Sequence, residues 1–312
     1  MPENDLRILH WLLTTNPGTV PGKFNSVVVW KRHNKEHLAP WSEPVDMAIA
    51  GGFLSNCPAY AFAVGYWTAL HRLLPDLPKD PVPALCISEE KGVHPAHINC
   101  RLEKEGDAWS LSGTKYFVTC GQEADLMLVA ASTGKSTDGK NQLRLVRVNK
   151  TQGGIKVKPL DKPLTILPEI SHGQVEFSSV RVTRADILPD DGHIRYIKPF
   201  RTIEDLRVMA AISGYQMRIG QCFDWPRPVK EQLIALLATL RSIAGADYTA
   251  PETHIATAGA TAAMQSFLES SAPCWEQVAP PLRSAWQRDK AILSIAAEAR
   301  AKRLAAAWQR FT

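Results

Sequence analysis

No stretch of this chain of 312 residues is apolar for long enough to cross a bilayer. Its opening Met-Pro-Glu-Asn-Asp lacks the basic-then-apolar order of a signal peptide, so a cytoplasmic protein with no membrane partner is expected. The six cysteines, at 57, 86, 100, 120, 222 and 274, include no Cys-x-x-Cys pair and lie mostly in apolar runs. That argues against a metal site or a disulfide scaffold and for buried, reduced thiols. Gly-x-Ser-x-Gly, the P-loop, His-Glu-x-x-His and Gly-x-Gly-x-x-Gly are all missing, which removes the motif-based nucleophile, phosphate, zinc and dinucleotide readings. Charge of one sign is scarce too. A net +5, from 36 basic and 31 acidic residues, is too mild to imply a nucleic-acid partner. There is no internal repeat and no low-complexity segment.

What is present is an ordinary globular composition, 45% hydrophobic and 21% charged, on a chain long enough to bury a sizeable core. The first part reads as helical. Leu6, Leu9 and Leu13 share a face of a helix after Pro2, a Pro/Gly break follows at 17–22, and Ser42-Glu-Pro restarts a helix that ends near Gly51-Gly52. Pro58 opens a run to Leu74 that is apolar around most of its circumference, as in a buried helix, and Pro75 closes it. Pro78, Pro81 and Pro83 mark a linker into many short strand candidates with turns such as Gly106-Asp107 and Gly153-Gly154. From Phe200 the chain is helical again, with breaks at Pro226-Arg-Pro228 and 245–251 and a last helix opening at Pro280-Pro281. In that helix Ile292, Ile295, Ala296 and Ala299 fall at i, i+3, i+4 and i+7, predicting a buried stripe. The domains expected are helical 1–82, β-rich 83–190 and helical 191–312. The local excess of Arg283, Arg288, Lys290, Arg300, Lys302, Arg303 and Arg310 over Asp289 and Glu298 reads as a solvated helix face before a phosphate site.

Residues 106–125 carry the most information. Trp109-Ser-Leu is a short alternating strand, Ser112-Gly113 a turn and 115–119 a second strand rich in β-formers. Cys120-Gly121 breaks it, and Asp125-Leu-Met-Leu-Val-Ala-Ala restarts as a strand buried on both faces. This pattern closely resembles the central β-domain of the acyl-CoA dehydrogenase family. Leu85-Cys-Ile-Ser-Glu-Glu upstream, Gln174-Val-Glu-Phe-Ser-Ser-Val-Arg-Val downstream and Leu188-Pro-Asp-Asp-Gly after it extend the resemblance over about residues 40–220. It implies an α+β multidomain fold: N-terminal helices (here truncated), a central β-barrel-like flavin domain and a C-terminal helical bundle.

The resemblance also implies FAD. Phe117 would cover one face of the flavin ring, Thr119 would donate a hydrogen bond near its N5, and Val118 lies between them. Leu85, Ile87 and Ser88 would border the ring from the neighbouring strand. The competing reading makes Phe117 core and Thr119 an ordinary strand residue. Glu89-Glu-Lys-Gly-Val-His-Pro departs from the family's Glu-Pro, small-residue loop and Ser-Asp; Lys91 could supply charge there. His94 could face substrate, against the plainer reading of an exposed loop histidine.

A family member needs a carboxylate to remove the α-proton of an acyl thioester. Arg288-Asp289-Lys-Ala-Ile-Leu-Ser-Ile-Ala-Ala-Glu298 resembles the segment that usually carries it, but Ala297 takes the base position and Glu298 comes one residue later. The segment reads as continuous helix, in which one residue is a rotation of about 100°. A subset of the family uses the first long helix after the β-domain, where Glu204 and Asp205 flank the matching Leu206; Thr202-Ile-Glu-Asp also reads as a capping box. The family's Arg-x-x-Phe-Gly and Gly-Gly-x-Gly are missing, leaving either a trimmed FAD site or loss of FAD. His254 and Asp247-Tyr248 receive no role. The reaction expected is α,β-dehydrogenation of an acyl-CoA-like thioester by a homodimer or homotetramer, with an acceptor such as an electron-transfer flavoprotein. The alternatives are a catalytically degenerate binding or partner protein and a flavin monooxygenase on the same fold.

Overall fold

The computed structural model describes residues 6–19 and 23–311. Pro2, ahead of the first helix, and positions 20–22 of the Pro/Gly break lie outside them. The described residues form two compact units. One holds those of Met1–Arg72, Thr165–Glu169 and Thr202–Thr312; the other is Leu73–Leu164 with Ile170–Arg201. The helices before and after the β-region therefore belong to one unit.

In the helical unit, α1 (Arg7–Thr14) buries Ile8, Leu9 and Leu12, while Leu6 and Leu13 are exposed. The predicted face was out of phase because Leu6 precedes the helix and Leu13 is a third of a turn past Leu12. After α2 (Val27–His33) and α3 (Lys35–Leu38), proline sets the start of α4 (Pro44–Phe53) and of α5 (Pro58–Leu73), whose burial bears out the all-round apolar run. The long α6 (Lys198–Cys222) meets α4 at Gly52, where a Cβ would come within 1.8 Å of the Ala211 carbonyl oxygen. Asp46 of α4 accepts two bonds, at 2.6 and 3.0 Å, from Arg241 of α7 (Arg227–Ile243). Then come α8 (Pro251–Ser271) and α9 (Pro280–Asp289), each opening at the expected proline, and α10 (Ala297–Trp308).

The last two helices correct the single helix with a buried stripe. A 3₁₀ turn at Lys290–Leu293 and a turn at 294–296 separate them, and Ile295 is exposed. Ser294 Oγ donates to the Ala291 carbonyl at 2.9 Å and Arg300 Nη2 to the Leu293 carbonyl at 2.6 Å, so side chains take the acceptors that continued helix would use.

The second unit contains β1 (Pro83–Cys86), β2 (Arg101–Glu105), β3 (Ala108–Thr119), β4 (Leu126–Lys135), β5 (Asn141–Asn149), β6 (Ile155–Pro159) and β7 (His172–Val182). They form a sheet in the order β1-β4-β2-β3-β7-β6, with β5 on β4. The first six residues of β4 are buried, as its apolar run predicts. Leu111, Val118, Val129, Val146, Val175 and Phe177 lie in the sheet's core.

The turn expected at Ser112-Gly113 is not there, because β3 runs through it. Instead β7 carries an extra residue opposite, with Ser179 at φ 49 and its N–H on Ser112 Oγ at 3.0 Å. Gly113 has φ 147, and a Cβ there would lie 2.6 Å from the Cys100 Cα, so glycine marks a close approach. No helix among the described residues is long and apolar enough to cross a membrane.

Candidate functional site

A second bulge shapes the far end of β3. Lys115 lies opposite Val175 and Val118 opposite Gly173, so β3 takes three steps where β7 takes two. Phe117 sits in that bulge at φ 56, a strained conformation for a bulky side chain, and is 56% exposed. It is not core. Val118 is, and its side chain lies among the buried residues of the sheet. Thr119 is half-buried. The Ser88 carbonyl accepts the Tyr116 N–H at 2.8 Å, which ties the end of the β1 segment beside Phe117. Ala84 and Cys86 enter the core, so alternation puts Leu85 and Ile87 on the opposite face of that segment.

The bulge is anchored by a buried ion pair. Lys115 Nζ lies 2.8 Å from Glu89 Oε1 and also donates to the Ile87 carbonyl at 3.1 Å. Glu89 in turn accepts the backbone N–H of Cys100 at 2.9 Å and of Asn99 at 2.8 Å. The two side chains are 0% and 8% exposed. Sequence reasoning placed Glu89 in a departing loop; a lysine midway along a β-forming run was the available signal that a buried acid must face it. Beyond Glu89 the chain turns tightly, with reciprocal backbone bonds between Glu89 and Gly92. His94 is exposed and its Nδ1 accepts the Ala96 N–H at 3.3 Å, capping the short 3₁₀ turn Pro95–His97.

Thr119 pairs across the sheet with His172, whose pKa burial pushes down while Glu123 pulls it back up. Glu123 is held by the Ser171 N–H at 3.1 Å and by its hydroxyl. Burial pushes the Cys86 thiol up to about 12 and the Cys100 thiol up to about 11, so neither is a thiolate nucleophile at neutral pH.

In the helical unit, 202–205 lies inside α6, so the expected capping box is absent. In the other unit, Asp191 accepts the N–H groups of His193 at 2.9 Å and Ile194 at 2.8 Å at the π-turn His193–Ile197. Asp205 is gripped by Arg300 Nη1 at 3.0 Å and Arg303 Nη2 at 2.5 Å. Burial pushes its carboxyl up and the two guanidinium groups pull it back, with burial the larger effect. Glu204 is half-buried beside it. Glu298 lies in the first turn of α10 with its side chain 82% exposed, 2.6 Å from Lys302 Nζ, and that bond lowers its pKa. Ala297 opens α10 directly after the turn.

The basic residues near the C-terminus are not simply a solvated face. Arg288 pairs with Glu169 and Asp289, and Arg300 and Arg303 pair with Asp205. Tyr248 has a structural role: its hydroxyl accepts from Arg72 Nε and Arg207 Nη2, both at 3.1 Å, and donates to the Ala244 carbonyl. Thr202, the 254–265 face of α8 and the start of α10 enclose a half-open cavity of about 360 Å³, where Thr202 Oγ1 is 3.5 Å from His254 Nδ1.

Residues 84–180 match the family described as acyl-CoA dehydrogenase, middle domain. The chain is 28% identical over 162 residues to the short/branched chain specific acyl-CoA dehydrogenase, mitochondrial, of Bos taurus; the match covers 51% of this chain and 36% of that protein. Among solved structures, butyryl-CoA dehydrogenase from Megasphaera elsdenii superposes with a TM-score of 0.70 at 15% identity, covering 92% of this chain and 89% of that one. The FAD complex of PigA superposes at 0.60 and 14% identity, covering 87% and 88%. These likenesses show the fold.

Proposed function

We propose, from the match of residues 84–180 to the acyl-CoA dehydrogenase middle domain, that the chain is a member of that family, holds FAD against the 117–119 edge of its β-domain and α,β-dehydrogenates an acyl thioester such as an acyl-CoA. The observation that carries this reading is Phe117, a large aromatic held outward on a strained bulge instead of buried. Strain of this kind, about 1–3 kcal/mol, marks ligand-contact positions. An apolar ring with the Thr119 and Ser88 hydroxyls nearby suits a flat heterocycle with a polar edge. Bound FAD would supply the hydride acceptor. Phe117 would exclude water from one ring face, and Thr119 Oγ1 would donate to the ring's polar edge. The candidates for the α-proton are Glu204, half-buried on α6, Asp205, paired with two arginines, and Glu298, paired with Lys302. An electron-transfer flavoprotein as acceptor and a homodimer or homotetramer belong to the same proposal.

Those pairings, with alanine at 297, also favour a second reading: a protein of this fold that keeps the flavin and not the dehydrogenation. Anaerobic addition of an acyl-CoA panel to the purified protein separates the two. Bleaching of the flavin band supports the first reading, an unbleached band the second, and a protein that neither carries nor takes up FAD overturns both.

Thr119→Val keeps the shape and removes one donor. A neutral hydrogen bond is worth about 1 kcal/mol, so FAD affinity by titration should fall several-fold with the melting temperature nearly unchanged. Unaltered affinity and an unaltered flavin spectrum would place Thr119 away from the ring.

A further inference from the structure

Thr119 has a neighbour on the outward face of the β-domain that the flavin reading leaves idle. His172 of β7 faces it across the β3–β7 ladder. Val118 and Gly173, the next facing pair, are buried, so alternation turns Thr119 and His172 to the other face, where both are half-buried. The Cys120 N–H donates to the Ser171 carbonyl at 2.8 Å. That makes 119 and 172 the closer kind of antiparallel pair, with Cβ atoms about 4.5–5.5 Å apart. The position is braced: Ser171 Oγ accepts the Gln122 N–H at 2.9 Å, and the Ser171 N–H donates to Glu123 at 3.1 Å. The Ile170 carbonyl favours an N–H on the His172 ring, and burial holds the ring's pKa below its usual value. At neutral pH the second ring nitrogen is therefore an acceptor. Glu123 lies within electrostatic reach, and among the described residues the ring makes no hydrogen bond to any side chain.

We propose that His172 is a second contact to the polar edge of the flavin, beside Thr119, and that it sets the relative affinity for oxidised and reduced FAD. The proposal rests on the flavin reading above. An acceptor nitrogen next to the Thr119 donor makes a two-sided recognition element, matched to a heterocycle edge that carries both acceptors and an N–H. Two-electron reduction adds N–H to that edge and raises its negative charge. A neutral imidazole accepts the added N–H, and with one proton more it becomes the matching cation. Either form of His172 therefore favours the reduced flavin. An apolar side chain of similar size does neither.

The test measures FAD affinity, by titration of the full-length protein, and the two-electron midpoint potential in the parent, His172→Leu and His172→Gln. In folded His172→Leu, oxidised FAD should bind several-fold more weakly and reduced FAD about a further tenfold more weakly, which lowers the potential by about 30 mV. His172→Gln keeps an acceptor and cannot take a proton. Its affinity for oxidised FAD should stay near the parent's while its potential is still lowered, and it carries the test if the leucine variant fails to fold. A loosened domain binds both redox forms less well by the same factor and leaves the potential in place, so the potential separates contact from mere support. FAD uptake with an unchanged potential in the folded variants would overturn the role of His172 and leave the flavin reading standing. A parent protein that takes up no FAD would overturn that reading, and His172 with it.

Discussion

Replacing Lys115 with methionine is expected to destabilise the β-domain by about 3–5 kcal/mol, the range seen when one partner of a buried ion pair is removed. The methionine is close in length and apolar, so the loss comes from what it abandons. Glu89 keeps the Cys100 and Asn99 N–H groups but loses its cation, and the Ile87 carbonyl loses a donor. Urea unfolding followed by fluorescence reads this as a lower midpoint at unchanged slope. The double variant Glu89→Gln, Lys115→Met should recover part of the loss, since an amide can keep accepting one N–H and no charge is stranded. A single variant within about 1 kcal/mol of the parent would show that the pair is not isolated from water as the fold indicates. A second readout follows from position. The pair fixes the chain at Glu89 and at Lys115, two residues from Phe117, so FAD uptake should weaken in Lys115→Met even where the protein remains folded.

The parts of this fold that were legible in the sequence are those written locally. Proline fixes its own φ and lacks a donor, so Pro44, Pro58, Pro226-Arg-Pro228, Pro251 and Pro280 announced helix starts within a residue or two. The double-sided apolar run from Leu126 announced a buried strand for the same reason. Bulges were not legible. The slips at Ser179 and Phe117 depend on which strand pairs with which, and they turned a predicted strand–turn–strand into one long strand. Pairings across the chain were equally hidden. Asp205 looked like a cap because its partners, Arg300 and Arg303, lie 95 and 98 residues away. The resemblance supplied Phe117 and Thr119 as candidates, while burial tendencies alone pointed Phe117 the wrong way.

Glu204→Gln and Asp205→Asn should part company, although the residues are neighbours on α6. If Glu204 accepts the α-proton, its amide retains shape and loses basicity, and turnover of the folded variant should fall by about 10²–10⁴-fold. Asp205→Asn should do the reverse. It leaves the Arg300 and Arg303 guanidinium groups, each less than a fifth exposed, without their shared carboxylate, which should cost about 3–5 kcal/mol. Both α6 and α10 would loosen, so hydrogen exchange should rise in the two helices together. Activity of folded Asp205→Asn, measured well below its melting point, should stay within about an order of magnitude of the parent, because positioning suffers and proton abstraction does not. Retained turnover in Glu204→Gln would remove it as the base. Loss of turnover in Asp205→Asn without loss of stability would instead transfer the role to Asp205, and its two arginines would then be tuning a catalytic carboxylate instead of holding two helices together.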